Sequence, residues 1–516
     1  MTDRLRLSEA NRRWWTLAAM CFALAMIMLD NTVVNVALPS IQRDFDASLS
    51  ALEWTLNAYT LTFAVLLVTG GRLGDIFGRR LVFLIGVGLF ALSSATIGFA
   101  ASDGMLVASR AVQGVGAALM MPGTLSIITN TFPPEERGRA IGIWAGVSAI
   151  ALAVGPLIGG WLTEDVSWRA IFFLNVPVAA GAIFVTLFAA EESRDETVDR
   201  RVDWPGIATI TTGLGALVLA LVEGNSWGWG SPEVLSLFAV SVVSLAAFVW
   251  VERRFPAPMV DFAFFRSRQF FGANVVAFMV TFAMFATFFF FALYIQNVLG
   301  YSPLETGVRF LPTTIAVMIA GPLAGRLTDR IGPRWLMTGG LVALAASLAW
   351  QSRVTVDTSY GYLLPAFIVM GLGIGFVISP MSTAAMNAVD RTKAGVASGV
   401  LSMSRMVGGT FGVAALGALI AAIGRHDIDD SLPNVAAPTR DRLVDGLGSG
   451  AGMEHVPARV QSATTHAFVD ALGAGLTVAA AAALVAAGLA WALIRDHRPA
   501  KPAEQEIAAT MEPAAA

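Results

Sequence analysis

The stretch LDNTVVNVALP, residues 29–39, places a single carboxylate inside the first long apolar run of the chain. Asp30 is the only charged residue between Trp14 and Leu38. A charge at membrane depth costs about 3 kcal/mol on insertion scales, and such residues usually face a protein interior and carry function. We therefore interpret Asp30 as a proton or cation site. The alternative is a carboxylate that extends to the membrane surface, although Asp30 lies about 12 Å of helix before Pro39.

The composition of the whole chain is typical of a membrane protein. Of its 516 residues, 56% are hydrophobic and only 14% are charged, whereas soluble domains carry roughly 25% charged residues. A net charge of −3 without a basic domain gives no indication of nucleic-acid binding. One cysteine and four histidines without ligand spacing predict neither a disulfide nor a metal site. Since the sequence also lacks a catalytic constellation and a nucleotide-binding loop, we predict neither an enzyme nor a cofactor.

Fourteen apolar runs of the sequence are long enough to cross about 30 Å of hydrocarbon. We therefore predict an all-α polytopic membrane protein. Because the number of spans is even, both termini lie on the same side of the membrane. The predicted spans cover residues 15–38, 52–70, 80–101, 104–127, 139–162, 168–190, 205–222, 232–251, 270–295, 303–325, 335–351, 360–383, 394–424 and 466–494.

The distribution of positive charge gives the orientation of these spans. Most of the 34 lysines and arginines fall on the side that carries the termini. The positive-inside rule therefore places both termini in the cytoplasm. Because the chain is rich in Ala and Arg and poor in Lys, we expect a bacterial origin. We predict a monomeric, multi-pass protein of the bacterial cytoplasmic membrane, surrounded by the lipid bilayer.

An internal repeat divides the chain. GRLGDIFGRR (71–80) follows the second span, and the similar GRLTDRIGPRW (325–335) follows the tenth. If spans 1–6 correspond to spans 9–14, spans 7 and 8 are an insert between two six-helix halves. The predicted divisions are an N-terminal bundle at 1–190, a linker with the inserted spans at 191–255, a C-terminal bundle at 256–498, and a disordered cytoplasmic tail at 499–516.

Four motifs carry a family resemblance. Besides LDNTVVNVALP and GRLGDIFGRR, these are RAVQGVGAA (110–118) and GPLIGG (155–160). The chain resembles the major facilitator superfamily, and within it the fourteen-span drug:proton antiporters. The resemblance implies two pseudo-symmetric six-helix bundles plus two inserted helices, which work by alternating access. One departure is Ala151, where the fifth-span motif of the antiporters often has glycine.

The loop after span 2 is a candidate gating element. Glycines at 71, 74 and 78 permit a tight turn and close backbone approach. The carboxylate of Asp75 can pair with arginines or lie against a helix end, on the cytoplasmic side. Such a latch would stabilise one of two bundle arrangements; the alternative is a topology signal with a tight turn and no gating. The candidate residues are Gly71, Gly74, Asp75, Gly78, Arg79, Arg80 and, in the second copy, Asp329.

Arg110 in span 4 is the predicted partner of Asp30. It follows Gly104 by about six residues, so its depth is similar to that of Asp30, and an ion pair between them is sterically allowed. Protonation of Asp30 would leave Arg110 less neutralised, which couples proton occupancy to local structure. The alternative is a structural arginine bonded to backbone carbonyls. Further candidates for a cavity are Gln113, Asn35, Arg309 and Arg405.

Span 5 is rich in small residues. Gly155, Pro156, Gly159 and Gly160 allow close helix approach and a bend. The resemblance implies that they form a flexible seam between the halves that prevents leak. Ordinary tight helix packing explains the same residues nearly as well.

These observations lead to one principal hypothesis about function. We expect export of amphipathic small molecules in exchange for protons. A dedicated exporter of one metabolite or antibiotic is the first alternative. A membrane sensor or scaffold without transport is the second, although Asp30 and Arg110 speak against it.

Overall fold

The computed structural model describes residues 9–46, 49–194, 202–255, 258–433, 435–436, 439–440, 443–444, 447 and 457–496. Long α-helices with short connections make up most of these ranges. They are α1 Glu9–Phe45, α2 Leu49–Phe77, α3 Arg79–Gly98, α4 Asp103–Thr131, α5 Pro134–Asp165, α6 Trp168–Ala189, α7 Trp204–Trp227, α8 Pro232–Glu252, α9 Arg268–Leu293, α10 Pro303–Ile331, α11 Pro333–Gln351, α12 Tyr360–Asn387, α13 Ala394–Ser431 and α14 Ala458–Leu493.

Each of these helices coincides with one of the predicted spans. Among the described residues, 13 helices are long and apolar enough to cross a membrane. The remaining one, α11, has 19 residues, a length of about 28 Å at 1.5 Å per residue. The prediction of an all-α polytopic protein is therefore confirmed. The predicted tail at 499–516 lies outside the described residues.

Local sequence explains where several helices begin. Ser102 and Ser231 accept hydrogen bonds from the backbone at the starts of α4 and α8, as N-cap residues do. Ser302 and Glu305 form a capping box at the start of α10. Gly78 and Gly332 separate α2 from α3 and α10 from α11 with φ of 114° and 87°, values that L-residues with a side chain rarely adopt.

The internal repeat appears in the packing of these two glycine turns. After Gly78, the backbone N–H of Arg80 donates to Glu192, which follows α6, at 3.0 Å. At the corresponding place after Gly332, the backbone N–H of Arg334 donates to Asp496, which follows α14, at 3.0 Å. The end of the sixth helix in each half is thus fastened to the start of the third by the same kind of contact.

The helices form two bundles and an inserted hairpin. Helices α1–α6 pack together as an N-terminal bundle, and α9–α14 pack together as a C-terminal bundle. The bundles meet along α5 with α10 and along α2 with α13. Helices α7 and α8 form a hairpin whose first helix lies against both α2 and α13. The two six-helix bundles with two inserted helices agree with the predicted fold.

Both described ends of the chain lie on one side of the molecule. Near the start of α1, Arg13 pairs with Glu136 at the start of α5 at 3.1 Å. The start of α5 contacts Asp329 at the end of α10, and α11 begins next to Asp496, just beyond α14. We call this end of the bundles the termini side and the opposite end the far side.

Candidate functional site

A buried ion pair lies inside the N-terminal bundle. Asp30 of α1 is 2% exposed and Arg110 of α4 is 1% exposed. Their side chains are joined by a hydrogen bond of 2.5 Å from Nη1 of Arg110 to Oδ2 of Asp30. Asp30 therefore points into protein, neither into lipid nor into open water, as a charge at membrane depth requires.

Other polar side chains complete this network from α3, α4 and α6. The second oxygen of Asp30 accepts hydrogen bonds from Gln113 at 3.0 Å and from Asn175 at 3.4 Å. Gln113 also accepts from Arg110 at 2.6 Å. Both amide side chains donate to Ser94 Oγ, at 2.6 and 3.0 Å. A buried charge pair is tolerated when its remaining donors and acceptors are satisfied in this way.

Arg110 has contacts that do not depend on the charge of Asp30. Its Nε donates to the carbonyl of Thr55 at 3.1 Å, and its guanidinium carbon lies 4.2 Å from the ring centroid of Tyr59. Both residues belong to α2. These contacts attach Arg110 to α2 independently of its ion pair with Asp30.

A second polar site joins the two bundles on the termini side. Asp75, at the end of α2, accepts backbone hydrogen bonds from Gly395 at 2.9 Å and Val396 at 2.7 Å. These are the first N–H groups of α13, which carry no partner within their own helix and the positive end of the helix dipole. Arg79 pairs with Asp75 at 2.5 Å and also donates to the carbonyl of Thr392. We call this arrangement the Asp75 contact.

The loop that supplies Thr392 is itself ordered by hydrogen bonds. Asp390 accepts from the backbone N–H and from the hydroxyl of Thr392, both at 2.9 Å. The backbone hydrogen bond and then the hydroxyl hold the pKa of Asp390 below its usual range. Asp390 is therefore ionised near neutral pH and keeps the carbonyl of Thr392 in place for Arg79.

The same arrangement occurs in the opposite sense at Asp329, at the end of α10. Asp329 accepts from the backbone N–H groups of Gly138 at 3.0 Å and Arg139 at 3.1 Å, at the start of α5. Each bundle therefore contributes one aspartate that caps the fifth helix of the other. We call this second arrangement the Asp329 contact.

Glycines let the helix backbones approach closely beside these two contacts. A Cβ on Gly71 would overlap the backbone of Gly395, and one on Gly142 would lie 2.5 Å from the carbonyl oxygen of Gly321. Real Cβ atoms do not approach other atoms so closely, so a larger side chain at either position would separate the helices. The bundles are thus closed against each other on the termini side.

Comparison with known proteins identifies the family. Residues 20–413 match the model of the Major Facilitator Superfamily. The chain belongs to this superfamily. It is 37% identical over 492 residues to the tetracenomycin C resistance and export protein of Streptomyces glaucescens, covering 93% of this chain and 91% of that one. It is 39% identical over 408 residues to the multidrug resistance protein Stp of Mycobacterium tuberculosis, covering 79% and 76%.

Solved structures of the superfamily share its fold. The human organic anion transporter MFSD10 superposes with a TM-score of 0.61 at 13% identity, over 94% of this chain and 100% of that one. The predicted resemblance is therefore confirmed. The family and the fold point to transport of small molecules across a membrane, by a multi-pass protein, rather than to catalysis.

The other residues predicted for the site lie in different parts of the molecule. Arg80 is bonded to the end of α6 within the N-terminal bundle, and a Cβ on Gly78 would overlap the carboxylate of Glu192 just after α6. A Cβ on Gly74 would make only ordinary contacts, at 3.7 Å. The Arg309 guanidinium lies 3.3 Å from the ring centroid of Tyr301 at the start of α10.

Two of the predicted span 5 residues contact their own bundle. Cβ atoms on Gly155 and Gly159 would meet Thr32 and Val33 of α1. The glycines of α5 that face the C-terminal bundle lie nearer the start of α5. Gly160 lies in the same part of α5. The role of these residues as a seam stays a prediction. The side chains of Pro156 and Asn35 lie outside the described residues.

Three residues of the site were missed by the reading of the sequence. Asn175 contacts Asp30, and Ser94 accepts from Gln113 and Asn175, yet each lies in a mostly apolar helix. Polar residues are uncommon at membrane depth, so the polarity of Asn175 was the signal that could have marked it as a candidate. Gly138 was missed because it precedes the predicted span 5, although it lies four residues before Gly142, the spacing of a close helix contact.

Proposed function

We propose that this transporter exports amphipathic organic compounds, antibiotics among them, from the bacterial cytoplasm in exchange for protons. The observation that carries the proposal is the buried Asp30 carboxylate, held by Arg110, Gln113 and Asn175. Relatives that match most of the chain are named for antibiotic resistance and export or for multidrug resistance. Drug resistance is what these names have in common, and the first of them also names export.

In the proposed cycle, the termini side faces the cytoplasm, in agreement with the excess of lysine and arginine there. The structure, closed at the Asp75 and Asp329 contacts, then represents a state shut toward the cytoplasm. Protonation of Asp30 from outside weakens its bond to Arg110 and favours return to the inward-facing state. Release of the proton to the cytoplasm favours uptake of the next substrate.

The proton gradient supplies enough free energy for this exchange. One proton moving down 100 mV contributes about 2.3 kcal/mol, and one pH unit contributes about 1.4 kcal/mol. Together they sustain a gradient of a neutral substrate of roughly a few hundredfold per proton. We further propose that the protein acts as a monomer, and that segments 1–190 and 256–498 rock as units about the insert at 191–255.

The decisive experiment measures dye efflux and proton flux together. Purified protein in liposomes is given a pH gradient, and movement of a fluorescent dye and of protons is recorded for wild type and Asp30→Asn. We expect the variant to lose proton-driven dye transport at least about tenfold, since asparagine keeps the shape of the site but cannot exchange a proton. Asp103→Asn, a partly exposed acid at the start of α4, is the matched control.

Either of two results would contradict the coupling role of Asp30. One is wild-type dye and proton flux in the Asp30→Asn protein. The other is loss of dye transport that is equal in the Asp103→Asn control. Thermal unfolding of each variant checks that the proteins remain folded.

A dedicated exporter of one compound is the second candidate, because one relative is named for a single antibiotic, tetracenomycin C. The two candidates differ in substrate profile. Expression in a pump-deficient host that protects against several unrelated dyes and drugs supports the broad exporter. Protection against one chemical family alone supports the dedicated one.

A further inference from the structure

Arg405 lies at membrane depth and has no carboxylate partner among the residues that the structure describes. Arg405 lies on α13, eleven residues after Ala394, and therefore about 16 Å along the helix axis from the termini side. This is close to the middle of a hydrocarbon layer of about 30 Å. Within the described ranges, no Asp or Glu oxygen lies within salt-bridge distance of its guanidinium. Its one described side-chain hydrogen bond runs from Nη2 to Ser402 Oγ, at 3.3 Å.

The rest of the Arg405 guanidinium is poorly satisfied. Its Nε is buried without a hydrogen-bond partner. Arg110 of α4 differs, because its Nη1 and Nε both donate to protein oxygens. A buried donor that the protein leaves unpaired calls for a partner from elsewhere.

Arg405 also reaches across to the other bundle. Its guanidinium carbon lies 5.4 Å from the ring centroid of Trp144 on α5, and Trp144 is itself fixed by a hydrogen bond of 3.2 Å to Thr124 of α4. The backbone of α13 here packs on α9, where Thr281 donates to the carbonyl of Arg405 at 2.8 Å. The side chain therefore extends away from α9 into the space between the bundles.

This space lies immediately beyond the closed contact of the termini side. Ser398, two turns before Arg405 on α13, donates to the carbonyl of Pro122 in the N-terminal bundle at 2.8 Å. Gly399 packs against the backbone of α2 at Leu67 and Val68. Arg405 is thus the one charged residue of α13 between its start at Ala394 and Arg425 near its far-side end.

From this geometry we propose that Arg405 is a subsite for the acidic oxygen of the transported compound, such as a carboxylate or an ionised phenol, and that Trp144 holds its guanidinium in place. The inference rests on the proposed export function and specifies its substrate class. A guanidinium binds a planar oxyanion through two parallel hydrogen bonds. Trp144 is 2% exposed, so its indole orients the guanidinium and does not itself contact the substrate. The bound anion then supplies the partner that Arg405 lacks.

The subsite also implies a preference against cations. A positively charged compound of the same shape meets the guanidinium without compensation, whereas an anionic one is attracted by it. Two xanthene dyes with the same three-ring body provide the comparison, because fluorescein is anionic and rhodamine 6G is cationic.

The experiment compares uptake of these two dyes by protein in liposomes under an imposed pH gradient. We expect Arg405→Gln to lower fluorescein uptake by about tenfold or more, the effect of one lost charge-assisted hydrogen bond. Rhodamine 6G uptake should stay the same or rise. Arg405→Lys, which keeps the charge but loses the planar fork, should retain part of the fluorescein uptake.

A matched control is Arg254→Gln. Arg254 also stacks on a tryptophan, with its guanidinium carbon 4.3 Å from the ring centroid of Trp250, but it lies exposed at the end of α8. We expect this variant to transport both dyes like wild type. Binding of fluorescein to purified protein, followed by fluorescence polarisation, gives a second measurement that does not depend on transport.

The outcomes separate this inference from the function on which it rests. Equal loss of both dyes in Arg405→Gln, or no loss of either, overturns the subsite. If the wild-type protein transports rhodamine 6G but neither binds nor transports fluorescein, the subsite is also overturned, and proton-driven export still stands. If wild type moves neither dye nor any drug tested, the proposed function fails first. If Arg405→Gln does not fold, fluorescein uptake by Arg405→Lys and fluorescein binding to the wild-type protein, measured by fluorescence polarisation, still test the subsite.

Discussion

The Asp75 contact makes a quantitative prediction about the closed arrangement of the bundles. In Asp75→Asn, one side-chain oxygen remains to accept a backbone N–H from the start of α13, and the second acceptor and the charge are lost. The pair of Asp75 with Arg79 lies within one bundle, so its weakening acts on the closed and open arrangements alike. Only the hydrogen bonds that cross between the bundles change the balance of the two.

The size of the effect follows from those crossing hydrogen bonds. A hydrogen bond to a charged group contributes about 1.5–3 kcal/mol. Loss of one of the two bonds to Gly395 and Val396, at 2.9 and 2.7 Å, therefore costs the closed arrangement about 2 kcal/mol. The ratio of open to closed molecules should rise about 30-fold, since 1.4 kcal/mol corresponds to a factor of ten.

A buried serine in the contact provides the reporter. Ser398 is fully buried between the bundles, and Ser398→Cys in a Cys21→Ser background introduces one thiol there. The initial rate of labelling by a water-soluble maleimide, measured in lipid nanodiscs where both faces are accessible, reports the open fraction. Glu233→Gln, an exposed acid at the start of α8, controls for the loss of one negative charge.

The reasoning would be refuted by one of two results. Labelling of the reporter in Asp75→Asn could stay within about twofold of the wild-type rate. Alternatively, Glu233→Gln could raise labelling as much as Asp75→Asn does. Either result would mean that the two N–H bonds do not hold the bundles together.

Two further predictions concern close packing and the buried network. Gly142→Leu should favour the open arrangement and raise labelling of the same reporter, because the leucine side chain would overlap the backbone of α10. Gly88→Ala is the control: its Cβ position has open space, so this variant should leave the labelling rate unchanged. Gln113→Leu leaves one oxygen of Asp30 and one N–H of Arg110 with fewer partners. It should lower the free energy of unfolding by about 1–3 kcal/mol, which denaturation of the purified protein measures against wild type.

The sequence predicts best what depends on depth along a single helix. Asp30 and Arg110 are matched in depth by counting from Asp30 to Pro39 and from Gly104 to Arg110, and the structure pairs them although α1 continues to Phe45. Asn175 and Ser94 were missed because their closeness to Asp30 depends on which faces of α3 and α6 turn inward. That rotation is decided by packing of the whole bundle, and no local pattern specifies it.

The contacts between the bundles illustrate a second limit. Asp75 and Asp329 were selected from the repeated loop, but their partners are backbone N–H groups at the starts of α13 and α5. Such donors exist at every helix start and have no side-chain signature, so the sequence could not tell which helix each aspartate caps. Helix ends were also predicted too short where polar turns extend an apolar run, as at the start of α14, which begins at Ala458 instead of near 466.

The position of α7 makes the two lines of contact between the bundles unequal. Where α2 meets α13, α7 lies against both helices and shields that groove from the surrounding lipid. In the part of the chain that the structure describes, no inserted helix covers the groove where α5 meets α10. The two lines of contact therefore differ in their surroundings: α7 separates the line along α2 and α13 from the acyl chains, whereas the line along α5 and α10 borders them directly.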